Sequence, residues 1–218
     1  MTISQNLDHI HPQIPASVRL VAVSKQMPVE AIKEAYDAGI RDFAESRLQE
    51  GLEKQAQLQE YNDICWHFIG HLQTNKAKKV LEHFHWIHSV DSLNLAQRLD
   101  ELAAKSSIYP QVCLQVKILP DPNKYGWQVT ELWEDLPKLE ALQHLKIEGL
   151  MTILPLGLSE KDCLETFGKT RELAKTITEK SSLKLEHLSM GMSNDYLLAI
   201  QKGATMIRLG RIIFGDRN

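Results

Sequence analysis

The sequence predicts an α/β fold built as one (β/α)8 barrel, and three observations carry that expectation. Short apolar runs alternate with helix-periodic segments from Arg19 to the end. Eight of the runs qualify as strands. No Gly-rich turn of the GxGxxG kind follows the first of them, as an open doubly wound sheet would more often require. The chain of 218 residues suits a barrel formed as a single unit. No Pro/Gly/Ser-rich linker, low-complexity tract or internal repeat divides it, so residues 1–218 are expected to form one domain.

The candidate strands, in order, are Leu20–Ser24, Asp42–Ala44, His67–Gly70, Trp86–Val90, Val112–Ile118, Ile147–Thr152, His187–Ser189 and Met206–Leu209. Seven helical segments lie between them. Val29, Ile32, Ala35 and Tyr36 keep one apolar face. Leu93, Ala96, Leu99, Leu102 and Ala103 keep another, with Asp91 or Ser92 placed to cap its start. Leu132-Trp133-Leu136-Leu139-Leu142 and Leu164-Phe167-Leu173-Ile177 repeat the pattern. The chain ends at Phe214-Gly215-Asp216-Arg217-Asn218, a few residues past the last strand, so the closing helix is expected to be absent or a stub. The first ~14 residues, with Ile3, Leu7 and Ile10, could supply a short helix over that gap.

Composition excludes several classes of partner. A net charge of −3, from 25 basic and 28 acidic residues, gives no global attraction to nucleic acid or to an anionic membrane. No apolar stretch approaches the ~20 residues needed to span a bilayer. The polar N-terminus lacks the apolar core of a signal peptide. Cys65, Cys113 and Cys163 are odd in number and far apart, which fits buried free thiols in a reducing cytoplasm.

In a barrel the C-terminal ends of the strands form the functional face. Ser24-Lys25 ends the first strand, where an amine could form a Schiff base or could simply extend into solvent. Ser189 to Asp195 follows the seventh strand. Gly191 there permits close backbone approach, and Ser193-Asn194-Asp195 opens a helix whose N-terminus suits a phosphate or is an ordinary capping turn. Arg208 and Gly210 alternate along the last strand and share a face. If that face is the barrel mouth, a guanidinium lies across from Lys25, free to donate to a ring nitrogen or a carboxylate or to form a structural ion pair. His83, His85 and His88 lack the helical spacing and partner ligands of a metal site, so no metal is expected. His67 and His71 flank the Phe-Ile-Gly turn with a packing or a ligand role open, and Lys76-Ala77-Lys78-Lys79 reads as a solvated helix face.

Together these segments resemble a known family. Val23-Ser24-Lys25, the run His67-Phe68-Ile69-Gly70-His71-Leu72-Gln73-Thr74-Asn75-Lys76, Gly149-Leu150-Met151-Thr152-Ile153, Leu188 to Asp195, Arg208-Leu209-Gly210 and Ile213-Phe214-Gly215 are similar to the pyridoxal phosphate homeostasis proteins, in order and over nearly the whole chain. The resemblance implies a TIM-type barrel of the alanine-racemase N-terminal-domain kind (fold type III) that binds pyridoxal 5′-phosphate (PLP) as an aldimine. By matching position Lys25 would be the Schiff-base lysine. Ser189, Gly191, Ser193 and Gly210 would lie at the phosphate, Arg208 would face the pyridine nitrogen, and Asn75 and Met151 fall in segments near the pocket. Two positions depart from the family pattern: Ser46 stands where Asn is usual after Phe43-Ala44-Glu45, and Arg211 stands where a small hydroxyl residue is frequent.

What the protein places at the ring nitrogen decides how strongly PLP withdraws electrons. An arginine leaves that nitrogen unprotonated and weakens the sink. Racemisation also needs a second acid/base, which racemases of this fold take from a C-terminal domain that this chain is not expected to carry. The favoured expectation is therefore a non-enzymatic, monomeric, cytoplasmic PLP carrier of vitamin B6 homeostasis, serving PLP-requiring apo-enzymes or a regulatory protein. The alternatives are a weak or narrow PLP-dependent amino-acid racemase and a PLP-free, aldolase-like barrel that uses Lys25 directly on a phosphorylated carbonyl compound.

Overall fold

Parallel pairing closes the sheet on itself. The computed structural model describes residues 2–215, so Met1 and the last three residues of the expected domain lie outside the described residues. The strands are β1 (Arg19–Val23), β2 (Asp42–Glu45), β3 (Cys65–Phe68), β4 (Trp86–Val90), β5 (Gln111–Lys117), β6 (Trp127–Gln128), β7 (Lys146–Met151), β8 (His187–Ser189) and β9 (Met206–Leu209). Their order is β4-β3-β2-β1-β9-β8-β7-β5, and a further β4–β5 pairing completes an eight-stranded barrel. β6 adds a two-residue parallel ladder outside the ring on β5, an element the sequence did not announce. The third strand begins two residues earlier than expected and ends at Phe68, which releases Ile69-Gly70 into the mouth.

Seven α-helices among the described residues join the barrel strands: α2 (Val29–Asp37), α3 (Leu48–Gln57), α4 (Ala77–His83), α5 (Leu93–Ser106), α6 (Val129–Glu140), α7 (Glu160–Lys180) and α8 (Tyr196–Gln201). Most turn apolar residues inward, whereas α3 buries Gly51 and Lys54. On α7 the buried positions Cys163, Thr166, Phe167, Thr170, Leu173, Ala174 and Ile177 recur at helical spacing. Ser92, not Asp91, caps α5 by accepting the Leu95 amide. The closing helix is the stub α9 (Arg211–Phe214). The N-terminal helix α1 (Ile3–Ile10) buries Ile3, Leu7 and Ile10 as expected and packs on α2 and α9. Asn6 ties it to α9 through the Ile213 carbonyl at 2.8 Å.

Side-chain alternation sorts the strands' residues between two environments. Leu20, Ala22, Ile207, Leu209 and Leu188 face outward into the main apolar layer between barrel and helices. Val21 and Val23 pack with Ala44, while Met206 packs with Trp86, Cys113 and Met151, and these smaller groups fill the barrel interior. The interior also holds His67, His88, Ser189 and Arg208, all buried. Polar groups in such a place must be paired, and they are.

Candidate functional site

β1 ends at Val23, and the inward alternation of Val21 and Val23 continues to half-buried Lys25 at the C-terminal mouth. Arg208 belongs to β9, which pairs directly with β1 so that Val21 lies opposite Arg208. The guanidinium is thus on the strand next to that of Lys25, and the expectation that it sits across the barrel is corrected by ring closure. Both side chains line one cavity of about 400 Å³. Its wall includes Val23 and Ile69, the Ile153–Leu158 loop after β7, Met192–Asp195 after β8, and Gly210-Arg211 after β9.

Of the residues expected at the site, Lys25, Ser193, Arg208 and Gly210 come together in this wall. Asn75, Met151, Ser189 and Gly191 do not line the cavity, although Ser189 and Gly191 both accept hydrogen bonds from Arg208. Asn75 is exposed on a short 3-10 turn, Thr74–Lys76. Met151 is buried in the interior group with Trp86, Cys113 and Met206. Gly191 adopts φ +93°, and a Cβ there would sit 2.6 Å from the Ala199 Cβ, so this glycine lets α8 pack against the strand end. The helix expected to open at Ser193 begins at Tyr196, because the Asp195 carboxylate accepts the Met192 amide at 2.6 Å and folds the intervening residues into a turn.

Ser189 supports the arginine. Its Oγ accepts from Arg208 Nη1 at 2.6 Å, while Arg208 Nη2 donates to the Thr152 carbonyl at 3.0 Å. Ser189 Oγ also lies 2.7 Å from His88 Nδ1. His88 Nε2 is 2.8 Å from His67 Nδ1, and His67 Nε2 is 2.9 Å from Asp42 Oδ1. A carboxylate can only accept, so the direction of every bond in the chain follows. His67 donates to Asp42, His88 donates to His67, and the Ser189 hydroxyl donates to His88. Burial favours the neutral imidazoles this requires, holding His67 below its ordinary value and His88 well below. Burial also brings Arg208 down to about 10, which leaves it charged at neutral pH.

Other groups on the wall were not foreseen as proton carriers. Glu160, Cys163 and Asp195 line the same cavity as Lys25. Burial raises both the Cys163 thiol and the Asp195 carboxyl. Arg211, exposed at the rim, donates to Asn194 Oδ1 at 3.2 Å and adds a second positive charge beside Ser193. The histidine-rich run does not gather: His83 and His85 are exposed, whereas His88 joins the interior chain. His71, beyond β3, pairs with Asp91 at 2.8 Å and stacks on Tyr125. Cys65 is half-buried, and Cys113 and Cys163 are buried; all three thiols are free.

The family model described as alanine racemase, N-terminal domain, matches residues 1–218. A pyridoxal phosphate homeostasis protein of Synechocystis sp. is 60% identical over 204 residues, 94% of each chain. The protein of that name from Escherichia coli (strain K12) is 38% identical over 208 residues, 94% of this chain and 88% of the other. Among solved structures, PipY of Synechococcus elongatus PCC7942 with PLP bound superposes with a TM-score of 0.95 at 48% identity, covering 98% of this chain and 100% of that one. An alanine racemase of Clostridium difficile 630 shares the fold, with a TM-score of 0.83 at 17% identity over 99% of this chain and 56% of the racemase. By fold and by full-length sequence, the chain belongs to the alanine racemase N-terminal-domain family and, within it, to the pyridoxal phosphate homeostasis proteins.

Proposed function

We propose that this protein holds PLP in the cavity between Lys25 and Arg208 and releases it to PLP-requiring apo-enzymes, as a carrier and not as a catalyst. The observation that carries the reading is the convergence of Lys25, Arg208, Ser193 and Gly210 on one cavity of about 400 Å³. That volume lies within the range of small-molecule sites, ~300–1,000 Å³. The donor set fits the molecule. Lys25 supplies an amine for its aldehyde, Arg208 a guanidinium for its ring nitrogen, and the turns at Ser193-Asn194 and Gly210-Arg211 a cationic rim for its phosphate. When bound, PLP supplies an aldehyde carbon that condenses with amines and a ring that withdraws electrons.

The chain's own groups favour retention over turnover. Arg208 donates to Ser189 and Thr152 and stays charged, so it offers the ring nitrogen a hydrogen bond without surrendering a proton. Asp195 is committed to the Met192 amide, and burial keeps the Cys163 thiol protonated. Glu160 is exposed at the first turn of α7, and Lys25 is the group this reading assigns to move a proton near the aldehyde. The three free thiols support a reducing, cytoplasmic setting. No helix among the described residues is long and apolar enough to cross a membrane. We further infer that the protein acts as a monomer.

Deuterium exchange at the amino-acid α-carbon tests carrier against enzyme. PLP-loaded protein incubated in D2O with a panel of amino acids should exchange no faster than free PLP does. Rapid exchange that disappears in Lys25→Ala would overturn the carrier reading in favour of a racemase.

A further inference from the structure

Behind the Ser24–Gln26 turn, away from the cavity wall, lies a cluster of charges that the carrier reading does not use. Lys54 on α3 is 6% exposed, and its ammonium donates to three acceptors. These are the Ser24 carbonyl at 2.8 Å, Glu45 Oε1 at 2.8 Å and Glu50 Oε1 at 2.7 Å. Glu45 Oε1 also accepts the Ser24 hydroxyl at 2.7 Å, and Glu50 Oε1 also accepts the Gln26 amide. The peptide groups on either side of Lys25 are therefore tied to one ammonium and its two carboxylates. Gln26 holds a left-handed φ of +63°, a conformation disfavoured for any residue with a side chain.

Stability alone is a poor reason for such a cluster. Desolvating an ammonium and a carboxylate consumes most of what their pairing returns, and an apolar trio of similar volume would often hold as well. Glu45 is fully buried, and its second oxygen has no partner among the described residues, which adds to the cost. What the cluster does achieve is location, since its bonds converge on the two residues flanking Lys25.

We propose that Lys54, through Glu50 and Glu45, is a positioning residue that clamps the Ser24–Gln26 turn and so aims the Lys25 amine into the cavity. This rests on Lys25 being the residue that holds PLP. With the clamp intact, the left-handed turn is the ground state and the amine leaves β1 toward Arg208. With it cut, the turn relaxes and the amine samples solvent.

Two measurements separate this inference from the reading beneath it. In PLP-free protein, trace acetylation by acetic anhydride, mapped by mass spectrometry, reports Lys25 reactivity relative to exposed Lys78. Glu50→Ala removes the Gln26 acceptor while leaving Lys54 paired with Glu45, and should label Lys25 at least threefold faster. Glu53→Ala, on the exposed side of the same helix, should match the parent. In PLP-loaded protein, capture of PLP by hydroxylamine should be at least fivefold faster in Glu50→Ala and faster again in Lys54→Met. If Lys54→Met does not fold, Glu50→Ala decides. Unchanged labelling of Lys25 in Glu50→Ala would overturn the clamp, even with PLP bound at Lys25. Faster labelling with unchanged capture would overturn its role toward PLP. A parent protein that carries no PLP on Lys25 would overturn the carrier reading, leaving the labelling to judge the clamp alone.

Discussion

The Ser189 hydroxyl stands between Arg208 Nη1, at 2.6 Å, and His88 Nδ1, at 2.7 Å, and is buried from solvent. It links the guanidinium on the cavity wall to a line of neutral histidines that ends at Asp42, near the opposite end of the barrel. Ser189→Ala takes an acceptor from Arg208 and a donor from His88, leaving both groups buried and short of a partner. The expected cost is about 1–3 kcal/mol of folding stability, read by urea denaturation. The absorbance of bound PLP should shift as well, because the guanidinium loses one of its two anchors. A variant with parental stability and spectrum would show that the hydroxyl carries neither function.

The interior histidines set a pH dependence. Burial depresses both in the folded state, while in the unfolded chain they titrate near the ordinary value of about 6.5. Below that value the unfolded state binds protons that the folded state resists. The stability they contribute is therefore present above about pH 6.5 and lost as pH falls. Each histidine adds at most about 1.4 kcal/mol per pH unit. Glu45, raised by burial, acts with the opposite sign, so comparison with a variant isolates the histidine effect. Between about pH 7 and pH 5.5 the parent should lose more stability than His88→Gln, whose amide can still accept from Ser189 and donate to His67. Equal slopes would contradict the neutral chain.

The two arginines of the wall should separate in their effects. Arg208 is buried beside Lys25, whereas Arg211 is exposed at the rim. Arg208→Ala should perturb the absorbance of bound PLP more than it weakens phosphate retention. Arg211→Ala should leave the absorbance unchanged and weaken PLP binding by about two- to fivefold, the effect of roughly 0.5–1 kcal/mol from an exposed charge, and more so at low salt. Titration of the PLP-free proteins, followed by absorbance, checks both. A spectral shift in Arg211→Ala alone would invert the assignment.

Gly191 answers to packing. A methyl group there would meet the Ala199 Cβ at 2.6 Å and the Tyr196 Cα at 3.0 Å, at a backbone angle that already disfavours a side chain. Gly191→Ala should cost about 1–3 kcal/mol and lower the melting temperature by several degrees. An unchanged melting temperature would contradict the close approach of α8.

The barrel was legible because strands buried on both faces read as apolar runs, and the loops between them carry the helix signals. Lys25 was legible for the same reason, as a charge at the end of such a run. The neighbours of Arg208 were not. Asp42, His67, His88, Ser189 and Arg208 come from five strands, and only barrel closure and the register of each pairing bring them together. Lys54 was hidden differently. Glu50 and Lys54 stand four residues apart on α3, a spacing that ordinarily marks an exposed helical pair. Burial against Ser24 and Glu45 turns that pair into a clamp, and no local pattern reports the burial. β6, two residues long, is too short for periodicity to register.

Borohydride reduction of the PLP-loaded protein, followed by peptide mapping, tests the central claim most directly. The expected result is a yellow protein with a 1:1 pyridoxyl adduct on Lys25, lost in Lys25→Ala while the fold is retained. A protein that gains no colour from added PLP, or an adduct spread over surface lysines such as Lys78 and Lys79 with Lys25 unlabelled, would contradict it.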